Sequence, residues 1–313
     1  MRRRTALKLI GAAAAWAPGA AVRAAAAAAA AAPRADSVLD IEVNGVTRRA
    51  YISLSGARGV QPAPLVIGFH GGAGNAPGYL ENSRLFAQCA QAGFVAACPQ
   101  GTAVPLMLRG DHRVWNSGPE YERSSGGADD VLFTQRLIAQ LATLQPLDPQ
   151  RIYLTGFSNG AQMAYRLALE LADRIAAIAP MSGGRLAGGH RPSRPVPVMH
   201  FHGTADTVYP LEGGLGPHSL GRVPHVAIAD VIGEWVEFDQ ASRTEEVERH
   251  LGFERHHHAG RASVELVLVE GMGHQIAGGS DDRLPGQPLK SSPDAVAMAL
   301  EFFARSVPGA AVS

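Results

Sequence analysis

The sequence predicts an α/β fold in which helices cover both faces of a mostly parallel sheet. Short apolar runs alternate along the chain with stretches that suit helices, an order typical of strands joined by crossover helices. The apolar runs are also continuous rather than interleaved with polar residues, which indicates strands covered on both faces. Because the sequence has no internal repeat and no polar linker, we expect one domain over residues 36–307.

The order of the elements follows from this pattern. Asn44-Gly45 lies between two β-rich runs and predicts an antiparallel hairpin at the start of the domain. The later strands are expected at residues 64–71, 94–101, 151–155, 175–179, 196–203 and 264–271. The helices are expected at residues 79–93, 127–145, 159–172, 226–240 and 292–306.

Residues 1–32 predict an export signal, because a basic start is followed by a mildly apolar stretch and an alanine run. Arg3-Arg4 resembles the start of a twin-arginine signal. A membrane anchor is disfavoured, because Lys8 and Arg23 interrupt the apolar residues and alanine inserts poorly into a bilayer. We expect a periplasmic or secreted protein with no stable membrane insertion after cleavage, at a site that the sequence leaves open.

The charge and cysteine content exclude several classes of partner. The chain has 28 basic and 28 acidic residues, so its formal net charge is zero and no nucleic-acid partner is expected. Cys89 and Cys98 are the only cysteines and suit two buried thiols, although an exported protein could join them in a disulfide. This pair is too small a ligand set for a zinc site. We expect no metal and no cofactor.

The stretch Gly156-Phe157-Ser158-Asn159-Gly160 stands directly between a predicted strand and a predicted helix. Glycines on both sides of the serine suit a turn too sharp for β-carbons, and this strand–turn–helix context presents a nucleophilic hydroxyl. The alternative is a plain tight turn, because the five residues alone are a weak signal. We predict Ser158 as the nucleophile.

Asp206 and His274 follow two later strands in polar, glycine-containing loops. Active residues of a parallel sheet gather beyond the carboxyl ends of its strands. A serine hydroxyl needs an imidazole to take its proton and a carboxylate to orient that imidazole. The order serine, acid, histidine is the one expected of the α/β-hydrolase fold.

Other titratable residues are competitors for these roles. Asp230 is expected on the surface of a helix, and His200 inside a strand as a packed core residue. His202 is a candidate substrate contact or a support of the site. His256-His257-His258 could bind a metal, but a solvated hairpin tip is expected instead.

A tetrahedral intermediate also needs donors for its oxyanion. The loop "FHGGAGN" follows a predicted strand and supplies glycine N–H groups. We predict the backbone N–H of Asn159 as one donor and that of Gly71 or Gly72 as the second, with Gly72 favoured. A phosphate-binding loop is disfavoured, because the segment lacks the lysine and the glycine spacing of such loops.

The segments "FHGGAGN", "VWNSG", "ADDVLF", "GFSNGAQMAYRLA", "HGTADTVYPLEGG" and "GMGHQIAGG" resemble the exported polyhydroxybutyrate depolymerases and feruloyl esterases among the α/β-hydrolases. This resemblance runs from about residue 40 to residue 305 and implies a catalytic triad at Ser158, Asp206 and His274. It suggests that Trp115 walls the substrate cleft, although a packed core tryptophan is the alternative. Asp129-Asp130 match a family feature and also suit a helix start.

The resemblance implies an exported serine esterase that acts on hydroxyalkanoate esters or oligomers. Feruloyl or acetyl esters of plant polysaccharides are the alternative. Gln275, Ile276 and Ala277 stand where the family usually has an aromatic residue and a proline after the histidine, which leaves transferred specificity open. A serine peptidase of the same fold and a binding protein on an inactive scaffold are more distant alternatives.

Overall fold

A computed structural model describes residues 37–57, 59, 61–104, 111–185, 190–219, 222–280 and 292–306. The predicted export signal at residues 1–32 lies outside these described residues. Among the helices that the structure describes, none combines the length and apolar character needed to cross a membrane.

Ten of the twelve described strands form one sheet, and the other two, β5 and β6, pair separately. The strands are β1 (Ser37–Val43), β2 (Val46–Ser53), β3 (Ala63–Phe69), β4 (Val95–Pro99), β5 (Thr102–Ala103), β6 (Arg113–Val114), β7 (Leu147–Phe157), β8 (Ala177–Met181), β9 (Val198–Gly203), β10 (Glu246–His250), β11 (Phe253–His258) and β12 (Val264–Val269). The order in the large sheet is β1-β2-β4-β3-β7-β8-β9-β12-β11-β10.

The middle of this sheet is parallel, as the continuous apolar runs predict. The six strands from β4 to β12 in the sheet order run parallel, and an antiparallel pair flanks each side of them. The predicted hairpin at Asn44-Gly45 is confirmed, because Val43 pairs with Val46 and both turn residues have positive φ, 51° and 80°. Parallel strands direct their carboxyl ends to one edge, where loops can share a site.

Seven helices lie in the described part of the chain: α1 (Ala76–Ser83), α2 (Leu85–Ala92), α3 (Pro119–Glu122), α4 (Asp130–Leu144), α5 (Asn159–Glu170), α6 (Ile228–Asp239) and α7 (Ala295–Arg305). The single helix predicted at residues 79–93 is two helices, α1 and α2. Arg84 between them has φ 54°, and the Ser83 hydroxyl donates to the Tyr79 carbonyl at 2.7 Å. A serine that bonds to the backbone within a helix competes with the helical geometry, which favours the break.

The helices cover both faces of the sheet. One apolar cluster packs α4, α5 and α6 around Trp235 and Phe133. The other packs α1, α2 and α7 around Phe302 and Phe303. Cys89 and Cys98 lie in this second cluster as buried free thiols.

The β10–β11 hairpin at one edge of the sheet is absent from the predicted elements. Its strands carry mostly charged residues and histidines rather than an apolar run, so the pattern of continuous apolar runs does not detect them. The predicted position of His256-His257-His258 at a solvated tip is wrong. These residues are half-buried within β11, and the turn lies at Leu251-Gly252.

Candidate active site

The loop between β7 and α5 turns sharply at Ser158. Its φ of 55° and ψ of −119° are strained for a residue with a side chain. A β-carbon at Gly156 would overlap the Gly160 carbonyl, and one at Gly160 would overlap the Phe69 carbonyl. The glycines are therefore required, because the chain folds back on itself and on β3 at this turn. The serine side chain is left partly exposed at the carboxyl edge of the sheet.

Ser158, His274 and Asp206 lie together at this edge, although they are far apart in the sequence. His274 Nε2 is 2.9 Å from Ser158 Oγ, and His274 Nδ1 is 2.7 Å from Asp206 Oδ2. A carboxylate can only accept at Nδ1, so the neutral imidazole carries its proton there and accepts from the serine hydroxyl at Nε2. This is the tautomer that a general base for the serine requires.

The Asp206 carboxylate is buried but well supplied with hydrogen bonds. Its Oδ1 accepts from the backbone N–H groups of Val208 at 2.9 Å and Tyr209 at 2.8 Å. Burial raises the pKa of Asp206, but the hydrogen bond from His274 and the charges nearby outweigh burial, so the net pKa lies below its usual value. The group is therefore ionised at neutral pH.

The loops that carry the acid and the histidine are joined to each other. They follow β9 and β12, which are adjacent parallel strands. The Ala205 N–H donates to the Met272 carbonyl at 3.0 Å. A β-carbon at Gly203 would overlap that same carbonyl. Asp206 and His274 thus stand on two loops in direct backbone contact.

The glycine-rich loop after β3 lies beside the serine turn. A β-carbon at Gly72 would lie 3.3 Å from Asn159 Cβ, so these two predicted oxyanion donors are neighbours. Asn159 is the first residue of α5, where backbone N–H groups have no partner within the helix. A helix N-terminus also carries a partial positive charge, which favours an anion at this place.

His70 holds the glycine-rich loop from below. Its Nδ1 is 2.8 Å from the Gly71 carbonyl, and its Nε2 accepts from the Gly101 N–H at 3.0 Å. Burial lowers the pKa of His70 to about 4, so the ring is neutral and can make both bonds. Neither hydrogen bond can be predicted from the sequence. The position of His70 directly before two glycines is nevertheless a signal that this histidine supports the loop.

Trp115 occupies a different place from the predicted cleft wall, and the packed core alternative is the correct one. The side chain is fully buried, and its Nε1 donates to the His70 carbonyl at 2.8 Å. The Trp115 backbone N–H donates to the Asn159 side-chain oxygen at 2.8 Å. An indole without exposed surface contacts no substrate, so it supports the loop and the helix start instead.

His202 also lies away from any substrate surface. It is fully buried, with Nε2 2.9 Å from the Tyr209 carbonyl and 3.7 Å from Asp206 Oδ2. It is a support of the site and not a substrate contact. The prediction of a packed core histidine is confirmed for His200, which is buried beside His202.

The other acidic residues considered from the sequence lie outside the candidate active site. Asp129 caps α4 by accepting from the Leu132 N–H at 2.9 Å, and Asp230 is exposed on α6. Asp130 is buried, and it pairs with Arg48 at 2.7 Å. Within the described ranges, no three or more His, Cys, Asp or Glu side chains are grouped to hold a metal ion.

The parallel sheet, the serine turn between β7 and α5, and the order of Ser158, Asp206 and His274 define the α/β-hydrolase fold. The profile of the Phospholipase/Carboxylesterase family matches residues 56–216, which is more than half of the chain. The chain belongs to this family.

Two relatives and one solved structure extend the comparison. The chain is 31% identical over 195 residues to feruloyl esterase B of Piromyces equi, covering 59% of the chain and 34% of the relative. It is 39% identical over 82 residues to a bifunctional acetylxylan esterase/xylanase of Neocallimastix patriciarum, covering 26% of the chain and 12% of the relative. The chain thus spans about a third of the length of the first relative and about an eighth of the length of the second.

The acetyl xylan esterase from Aspergillus awamori is similar in fold. It superposes with a TM-score of 0.58 at 15% identity, covering 86% of the chain and 99% of that structure. At this identity the likeness shows the fold alone.

Proposed function

We propose that the chain is a carboxylic-ester hydrolase that works through an acyl-enzyme on Ser158. The observation that carries this proposal is the pair of hydrogen bonds made by His274: Nε2 accepts from the Ser158 hydroxyl at 2.9 Å, and Nδ1 donates to Asp206 Oδ2 at 2.7 Å. His274 takes the serine proton as Oγ attacks the ester carbonyl, and Asp206 stabilises the imidazolium that forms. His274 then protonates the departing alcohol, and water releases the acid by the reverse sequence.

The negative charge on the tetrahedral intermediate is held by the backbone N–H groups of Asn159 and Gly72. The Gly72 loop lies next to the N-terminus of α5, so both groups can approach one oxygen. Rigid support of this pair comes from His70 and Trp115 beneath it. Fixed donors stabilise developing charge with little reorganisation during the reaction. The reaction needs no metal and no organic cofactor.

For the substrate, we propose feruloyl or acetyl esters of plant polysaccharides. The two relatives named for such esters support this class, and neither of them is named for the hydroxyalkanoate esters that are the first expectation from the sequence. The test is a profile of kcat/KM over methyl ferulate, acetylated xylan and hydroxybutyrate oligomers. We expect a preference of about tenfold or more for one of the first two. A preference for the hydroxybutyrate oligomers would overturn the substrate class.

The nucleophile is tested separately from the substrate. Ser158→Ala should lower kcat on p-nitrophenyl acetate by about 10⁴-fold or more, while Ser242→Ala, an exposed serine, leaves it unchanged. A fluorophosphonate probe should label the wild type and not Ser158→Ala. Cleavage of p-nitroanilides at a rate comparable to the esters would favour the peptidase alternative.

We further propose that residues 1–32 direct export and are removed. The basic start and the alanine run support this proposal. In N-terminal sequencing of the protein recovered from a periplasmic or culture fraction, the first residue read should lie within or directly after the alanine run. Retention of the first residues in that fraction would contradict cleavage.

A further inference from the structure

A chain of three buried polar side chains runs behind the acid of the triad. Tyr165 Oη is 2.9 Å from His200 Nδ1, and His200 Nε2 is 3.1 Å from His202 Nδ1. His202 Nε2 is 2.9 Å from the Tyr209 carbonyl oxygen. The two imidazoles lie on one face of β9, with 5.4 Å between ring centroids and 13° between ring planes. The side chains of Tyr165, His200 and His202 are fully buried.

The last partner in this chain determines the position of every proton. A carbonyl only accepts, so His202 Nε2 carries a hydrogen and donates it to Tyr209. Burial lowers the pKa of His202 and of His200, so both rings are neutral and each has one N–H. His202 Nδ1 therefore accepts from His200 Nε2–H, and His200 Nδ1 accepts from the Tyr165 hydroxyl. Each hydrogen bond in this series is therefore donated in the direction of Tyr209.

The peptide units of Tyr209 connect this chain to the catalytic acid. The Tyr209 N–H donates to Asp206 Oδ1 at 2.8 Å, and its carbonyl accepts from His202 at 2.9 Å. The residue is thus held from both sides. His202 Nε2 also lies 3.7 Å from Asp206 Oδ2, the oxygen that faces His274.

Placing two histidines inside a buried strand is energetically unfavourable compared with apolar side chains. Apolar residues of similar volume would fill the same space without burying polar atoms, and a buried polar network is favourable only when every member is bonded. Each ring nitrogen of His200 and His202 has a partner. The complete set of bonds ends at the turn that carries Asp206, which is where a fixed geometry matters for the reaction.

We propose that Tyr165, His200 and His202 form a one-directional hydrogen-bond chain that positions Asp206 for His274, with His202 as the positioning residue. This proposal rests on the proposed function of the triad. It assigns His202 no contact with substrate. It requires the donor at Nε2 to matter more for kcat than the acceptor at Nδ1, because only the donor reaches the Asp206 turn.

Two carboxamide substitutions separate the two ring nitrogens. The amide nitrogen of His202→Gln can take the place of Nε2 and keep a donor for the Tyr209 carbonyl. The amide oxygen of His202→Asn can take the place of Nδ1 and keep an acceptor for His200, but its side chain is too short to donate to Tyr209. The two variants introduce the same polar group and differ by one methylene.

We expect His202→Asn to lower kcat by about 10- to 100-fold with KM within about twofold of the wild type. His202→Gln should retain kcat within about threefold of the wild type. The rate of fluorophosphonate labelling of Ser158 should follow the same order. Equal kcat values for the two variants, at matched melting temperatures, would overturn the proposal.

A measurement on the wild type keeps the proposal falsifiable if a variant does not fold. Long-range ¹H–¹⁵N correlation spectra distinguish the tautomers of each imidazole. Both His200 and His202 should show the Nε2–H form, and an Nδ1–H or doubly protonated His202 would refute the chain. Failure of the proposed function would show differently, because the wild type itself would then resist the fluorophosphonate probe.

Discussion

Asp206→Asn tests how the structure fixes the proton on His274. Asp206 Oδ1 accepts two backbone N–H groups, from Val208 and Tyr209, and only an oxygen can replace it there. The asparagine must therefore direct its NH₂ group towards His274 Nδ1. That nitrogen then has to accept, so the proton of the neutral ring moves to Nε2. An imidazole protonated at Nε2 cannot take the proton of Ser158.

The size of the effect follows from the loss of the required tautomer. The bond that is lost joins His274 Nδ1 to a carboxylate oxygen at 2.7 Å, the length of a charge-assisted hydrogen bond. A triad with the wrong tautomer loses about 10⁴ in kcat, which corresponds to about 5.5 kcal/mol of transition-state stabilisation. The fold should be retained, because the asparagine keeps the acceptor for both backbone groups.

The assay is kcat on p-nitrophenyl acetate at neutral pH, with thermal denaturation to check folding. Asp230→Asn is the matched control, since Asp230 is exposed on α6 and its substitution should leave kcat unchanged. A value of kcat for Asp206→Asn within about tenfold of the wild type would refute the tautomer argument. It would mean that the carboxylate does not fix the proton on His274.

Three further predictions concern stability. Gly160→Ala should lower the free energy of unfolding by about 3 kcal/mol or more, because its β-carbon would overlap the backbone of β3. Gly233→Ala is the control: the position has open space around it in α6, so the substitution should raise the free energy of unfolding by about 0.5–1 kcal/mol. Similar melting temperatures for the two variants would contradict this prediction. Burial raises the pKa of Asp239 from 3.8 to about 8, so the folded state binds the extra proton and stability falls as pH rises between these values. Asp239→Asn should be more stable than the wild type by roughly 1–2 kcal/mol at pH 8 and by less at pH 5, measured by urea denaturation, and a gain independent of pH would exclude titration as the cause. Arg48→Met leaves the buried Asp130 carboxylate without the guanidinium that pairs with it at 2.7 Å, so it should lower the free energy of unfolding by about 3 kcal/mol. Adding Asp130→Asn should restore part of this stability. If thermal melts show no recovery in the double variant, the unpaired buried charge is not the cause of the loss.

The fold and the three residues that come together at the carboxyl edge, Ser158, Asp206 and His274, could be predicted from the sequence because local patterns indicate them. Continuous apolar runs reveal strands covered on both faces, and glycines around Ser158 reveal a turn that excludes β-carbons. Asp206 and His274 could be predicted from their place after later strands. In each case the relevant pattern lies within a few residues of the position it predicts.

The residue roles and the helix boundary that the sequence does not reveal depend on contacts that form only in the folded chain. Trp115 is a residue type that often lines substrate clefts. Only its burial and its hydrogen bond to the His70 carbonyl show that it supports the glycine-rich loop instead. His202 could be read as a substrate contact until its partner Tyr209 is known. The break between α1 and α2 at Arg84 depends on a serine hydroxyl that could equally have faced solvent.

The contact between the loops that follow β9 and β12 has a consequence for how this scaffold can diversify. Asp206 and His274 lie on loops that are joined by a backbone hydrogen bond, so we expect the pair to keep its geometry when side chains around it change. Ser158 lies on the turn between β7 and α5, and β8 separates β7 from β9 in the sheet. Selection for a new ester should therefore succeed through side chains on other loops of the carboxyl edge, while the sheet itself preserves the spacing of the two halves.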